Sequence, residues 1–213
     1  MSLKKILSFK QPSIRKQLNV SRKEKQYGGI IQQLQLEDFW HNLEIHERSF
    51  IRNCVKWSFS GRFNGEDIDH PDSHAQTKRD DCRFLMGNAA WAFDSKEYVL
   101  TEKILNEVIH RSKSTYTLHR AYQKLIHIYE VSENKSLIQK WKNYCEEHIK
   151  LAPALFYESN NKEELPPEIR SFSVLKKILL DENALEEYKE LSFIEQQYNY
   201  GYFSNEEKVL RDM

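Results

Sequence analysis

Leu85 and Leu125 stand 40 residues apart, and so do Leu105 and Cys145, and Ile109 and Ile149. Each pair holds the same place in two amphipathic patterns, so residues 78–110 and 115–150 read as two copies of one helix–turn–helix unit. A unit this small cannot bury its apolar stripe alone. Copies therefore stack in series, each covering its neighbour. That confines the chain to an array of helical hairpins, an α-solenoid, and predicts a binding surface rather than an enclosed reaction vessel.

The rest of the chain continues the helical spacing. From Leu36, apolar residues at Phe39, Trp40, Leu43, Phe50, Cys54 and Trp57 predict one long amphipathic helix over about 35–57. An irregular segment from Ser58 to Ala75 follows, with Gly61, Gly65 and Pro71. Helical spacing resumes at Cys82, Leu85, Met86, Ala89, Ala90 and Phe93. Asp94-Ser95 reads as a break that caps the next helix, which carries Tyr98, Thr101, Leu105, Val108 and Ile109. The second unit runs through Leu118, Tyr122, Leu125, Ile126 and Tyr129, then Leu137, Ile138, Trp141, Cys145 and Ile149. Pro153 lies beyond its end. In a third pair, Pro166-Pro167 opens a helix over 167–180, and Asn183 with Glu186 caps a last helix reaching Tyr200. No segment alternates with a period of two. The expected fold class is all-α: a single domain over residues 31–213, about three helical hairpins preceded by a long helix, with a flexible basic arm over residues 1–30.

The stretch Tyr98-x2-Thr101-x3-Leu105-x2-Val108, with the aromatic-rich helix Tyr122-x2-Leu125-Ile126-x2-Tyr129, resembles tetratricopeptide-type (TPR) helical hairpins over roughly residues 78–153. The period is 40 where that family has about 34, which makes the likeness TPR-like. The resemblance implies a superhelix whose inner groove, lined by the first helix of each hairpin, takes up a peptide or helix of a partner. On that implication the groove residues are Arg79, Arg83, Asn88 and Trp91 in the first unit. In the second they are His119, Arg120, Gln123 and His127. Their shared basic and amide character predicts an acidic peptide or a C-terminal carboxylate as ligand.

Charge decides which other classes stay open. The 213 residues hold 32 acidic and 32 basic side chains, so no global field recruits DNA or a membrane. The distribution is uneven. Residues 1–25 hold Lys4, Lys5, Lys10, Arg15, Lys16, Arg22, Lys23 and Lys25 against Glu24 alone, while residues 156–213 hold 13 acidic and seven basic residues. The arm is suited to nucleic-acid phosphates, although only Phe9 and Tyr27 flank it for base stacking. A solvated tail and a contact with an acidic protein surface are the other readings. Cys54, Cys82 and Cys145 are odd in number and widely spaced, which argues for a reducing, cytoplasmic setting. The uncharged run Phe84–Phe93 is too short to cross a bilayer. Lys10 interrupts the only candidate secretory signal.

The densest set of ligand-type side chains is Asp67, Asp69, His70, Asp72 and His74, followed by Asp80, Asp81 and Cys82. Aspartates in such a segment satisfy turns and cap the next helix. The alternative is a metal-dependent hydrolase centred on His70, Asp72 and His74. No His-Glu-x-x-His pair is present, and a calcium loop counted from Asp67 has Asp72 and Lys78 where glycine and glutamate are needed. His110, His119, His127 and His148 read as surface or boundary residues of the repeats, and the cysteines as core. The expected function is a non-enzymatic protein–protein interaction module, an adaptor or assembly subunit without a cofactor. The rivals are the hydrolase and an accessory subunit of a nucleic-acid complex.

Overall fold

The structure, a computed structural model, describes residues 26–58, 64–132 and 137–200. Among the described residues every regular element is helical, so the fold is all-α. No described helix is long and apolar enough to cross a membrane.

The N-terminal part is built from short pieces: α1 (Gly29–Gln33), α2 (Glu37–His41), α3 (Ile45–Ser58) and a 3-10 turn at Gly65–Ile68. The single helix expected over 35–57 is thus two helices. The break has a cause: the Glu47 carboxylate accepts the Glu44 N–H at 2.8 Å and starts α3 afresh. Glu47 is itself buried and receives Lys103 Nζ at 2.7 and 2.9 Å. Phe39, Trp40, Leu43 and Ile51 still face one core, so the apolar spacing ran through the break unaltered. The domain boundary also moves. Ile30 is fully buried, Tyr27 accepts from Arg48 at 3.1 Å, and Gly28 and Gly29 donate to Asp69 and Ser73 carbonyls at 3.2 and 2.9 Å. The packed domain therefore reaches back before residue 31.

From there the helices pack in chain order. α4 (Asp81–Asp94) lies on α5 (Tyr98–Arg111), α5 on α6 (Thr115–Ser132), and α6 on α7 (Ile138–Ile149). α7 lies on α9 (Ser171–Asp181), and α9 on α10 (Leu185–Tyr200). α4 also touches α6. Residues 40 apart share their environment: Leu85 and Leu125 are buried, as are Leu105 and Cys145, while Ile109 and Ile149 are half-buried. One apolar cluster joins α1–α6; a second joins α6 to α10.

Three boundaries differ from expectation. Pro153 opens a further helix, α8 (Ala152–Asn160), because proline suits a first helical turn. Pro166 and Pro167 lie in an irregular segment before α9. Carbonyls there are taken by other helices: Tyr198 Oη donates to Pro167 at 2.5 Å, and Gln123 Nε2 donates to Glu168 at 2.7 Å. Asn183 ends α9 instead of capping α10. Its φ is 59°, its N–H reaches the Leu180 carbonyl, and the Ala184 N–H reaches Leu179. Lys96 closes α4 in the same way at φ 63°, so Asp94-Ser95 does not cap α5.

Candidate partner-binding cleft

α4 and α6, the first helices of the two matched hairpins, run side by side and leave two adjoining depressions that share Met86 and Arg120. The first, about 620 Å³, lies where the start of α4 meets the α5–α6 connection, and Asp80, Arg83, Arg111, Lys113 and Tyr116 line it. The second, about 730 Å³, continues along α6 past Gln123, Lys124, His127 and Glu130 to Glu168, Arg170 and Ser173.

Most charges here are already spent. Arg111 binds Glu107 at 2.5 Å and Asp81 at 3.4 Å; Arg170 binds Glu130 at 2.9 Å; Arg83 binds Asp80 at 3.4 Å. Lys113 and Arg120 form no ion pair with a described residue, and Lys124 Nζ sits 4.6 Å from the centre of the Phe93 ring. Glu168 also lines the second depression without an ion pair, so the unpaired charged side chains among the described residues there are three cations and one carboxylate. Arg120 and Lys124 are one helical turn apart on the same face of α6.

Of the eight residues assigned to the groove, Arg83, Arg120, Gln123 and His127 line it. Arg79 is exposed, with its guanidinium over Gly87 of α4. Trp91 is exposed on α4 but outside the lining. Asn88 and His119 are corrections: both are buried and neither faces the cleft. Asn88 falls on the stripe Phe84, Leu85, Asn88, Ala89 and Ala92, and its Nδ2 donates to the Phe84 carbonyl at 2.9 Å. Lys113, Tyr116, Lys124 and the Glu168–Ser173 wall were not anticipated. Lys124 was legible as the neighbour of Arg120 at i+4; the wall comes from a distant segment and left no local signal.

His119 instead belongs to a chain inside the molecule. His119 Nδ1 shares a hydrogen bond with His148 Nε2 at 2.9 Å, and His148 Nδ1 shares one with Ser171 Oγ at 2.6 Å. His148 holds the place that Val108 holds in the first hairpin, and both are fully buried. Burial pushes His148 down to about 3, helped by His119; burial and then Arg120 push His119 down. A serine bonded to an imidazole resembles an activated nucleophile, but Ser171 is 0% exposed. The reading of both histidines as surface or boundary residues is corrected with it.

A second polar cluster joins helices at the half-buried boundary. Glu102 accepts Tyr129 Oη and Tyr144 Oη at 2.9 Å each and pairs with Lys140, tying α5, α6 and α7 together. Burial raises both phenols well above their ordinary range. Burial also pushes the Cys54 thiol up to about 11 and Cys145 to about 12, and raises Cys82, so none is a ready thiolate.

In the 67–74 segment the carboxylates serve the fold. Asp67 accepts the Asn64 N–H at 2.8 Å. Asp69 takes Arg52 at 3.0 and 2.6 Å and Trp40 Nε1 at 2.8 Å. His70 Nδ1 accepts the Asp72 N–H at 3.3 Å, and His70, Asp72 and His74 are exposed. Among the described residues no group of three or more His, Cys, Asp or Glu side chains is placed to hold a metal ion. Asp80 caps α4 by accepting the Arg83 N–H at 2.7 Å. The basic arm, Lys4 to Lys25, lies outside the described residues. Compared with protein-family models, curated proteins and solved structures, the chain matches none.

Proposed function

We propose that the chain is a non-enzymatic interaction module, a TPR-like array of helical hairpins whose cleft along α4 and α6 takes up an acidic segment of a partner protein. The observation that carries this is the row of cations along an open cleft: Lys113, Arg120 and Lys124 line it without carboxylate partners among the described residues, against the single unpaired carboxylate of Glu168. Met86 and Tyr116 add apolar area beside them. Shared burial at positions 40 apart supports the repeat reading, and three free cysteines fit a reducing cytoplasmic compartment.

The test is direct. Labelled Glu/Asp-rich peptides, with Lys-rich and uncharged peptides as controls, are titrated and followed by fluorescence anisotropy. Only the acidic set should bind, more weakly as salt rises. The double variant Arg120→Glu/Lys124→Glu should lose at least about tenfold in affinity, corresponding to about 1.4 kcal/mol, with its melting temperature unchanged. Acidic peptides that bind both proteins alike, or neither, refute the assignment of this cleft.

A further inference from the structure

Two imidazoles meet nitrogen to nitrogen in the interior, and 2.9 Å between His119 Nδ1 and His148 Nε2 leaves room for one hydrogen. Neutral rings meet that condition: one donates and the other accepts, and the far nitrogen of His148 completes the chain with Ser171. One added proton keeps the hydrogen bonds but places a cation in the interior, where burial opposes it. His148 then donates through both nitrogens, to His119 and to Ser171 Oγ. A second proton does not fit, because N–H would point at N–H between two cations whose ring centres are 5.0 Å apart.

The surroundings supply no counter-charge. From α6, Arg120 adds positive charge beside His119, while Tyr116 and Tyr122 present rings to the pair. From α7, Tyr144 and Cys145 are neutral, and Glu147 is exposed, its field reaching Tyr122. From α8, the half-buried Glu158 carboxylate is an anion that accepts from Thr115, but it bonds to neither ring and contributes to neither ring's shift. From α9 only the Ser171 hydroxyl faces the rings, and the adjacent Arg170 is bound to Glu130.

We propose that this junction is an acid-operated catch, which holds the α9–α10 hairpin on α6–α7 at neutral pH and releases it when the His119–His148 pair takes up protons. The sign follows from the interior. Docked rings resist protonation, whereas solvated imidazoles titrate at about 6.5. Docking is therefore at full strength above that pH and weakens as pH falls below it. Each proton bound only by the open form raises the open fraction about tenfold per pH unit, and two raise it about a hundredfold. Between pH 7.5 and 5.0 one such proton raises the open fraction about thirtyfold, and a second raises it further, up to about a thousandfold in all.

The catch rests on the buried rings rather than on the identity of the cleft's ligand, and hydrogen–deuterium exchange on the intact chain without added peptide tests it. With uptake corrected for intrinsic exchange, protection of α9 and α10 amides should drop by more than about thirtyfold, and by up to about a thousandfold, from pH 7.5 to 5.0. Protection in α4 and α5 should change less than about tenfold. His119→Gln keeps a polar partner for His148 and removes one titrating ring, so its drop should shrink to about thirtyfold. His148→Gln replaces it should that variant not fold. Equal α9 protection at both pH values overturns the proposal. So does a fall shared equally by α5, or a glutamine variant as acid-sensitive as the parent.

Discussion

At Gly29 the backbone sits at φ +52°, and a Cβ there would stand 2.2 Å from the Asp67 carbonyl oxygen. The neighbouring Gly28 is pressed just as closely against the His70 carbonyl, so this glycine pair is where the incoming chain is laid onto the 64–80 segment. Gly29→Ala combines left-handed strain with a clash against backbone, and should cost about 2–4 kcal/mol in urea unfolding. A loss under about 0.5 kcal/mol would mean the segment shifts freely. Asp69 acts from the other side, joining Arg52 of α3 and Trp40 of α2 in one buried cluster. In the repeats, fully buried Leu125 is the simplest probe: Leu125→Ala should cost about 2–5 kcal/mol.

Helix ends explain both what the pattern revealed and what it hid. α1, α4 and α9 close on Gln35, Lys96 and Asn183 with positive φ, positions where glycine carries no Cβ penalty. Lys96→Gly should therefore raise stability, by about 0.5–1 kcal/mol in thermal or urea unfolding, because Lys96 is exposed and only its backbone is used. A destabilised variant would show that the lysine side chain contributes more than its conformation costs. The core leucines were legible because Leu85 and Leu125 repeat one environment. The ends were not, since non-glycine residues occupy those turns and Asn183 has the chemistry of either a start or a stop. Pro153 was ambiguous for the same kind of reason: proline fits both after one helix and at the first turn of the next. Asn88 and His119 read as surface because they are polar. Asn88 pairs with its own helix and His119 with a residue 29 positions away, partners that spacing alone does not reveal.

Across the whole molecule two apolar clusters share the middle helices: α6 gives Ala121, Tyr122, Leu125 and Ile128 to the first and Ile126 to the second, and Tyr144 of α7 packs against both. Apart from smaller contacts of α4 with α6, α6 with α8 and α8 with α10, the main contacts beyond α3 follow chain order through α7, α9 and α10, so stability should be close to a sum of neighbour terms. Among the described residues, the α9–α10 pair has its main contacts with α7 and α8, on one side only. It is therefore the first to open, and a weakened contact there should not spread to α4 and α5. Phe172, nearly fully buried beside Tyr198, is the residue to test. Phe172→Ala should remove about 3–5 kcal/mol from the docking of α9 and α10. Hydrogen exchange at neutral pH should then show protection falling across 171–200 and persisting in 81–111. A uniform loss along the chain would mean that both clusters unfold as one unit, and the neighbour-by-neighbour account of this fold would have to be given up.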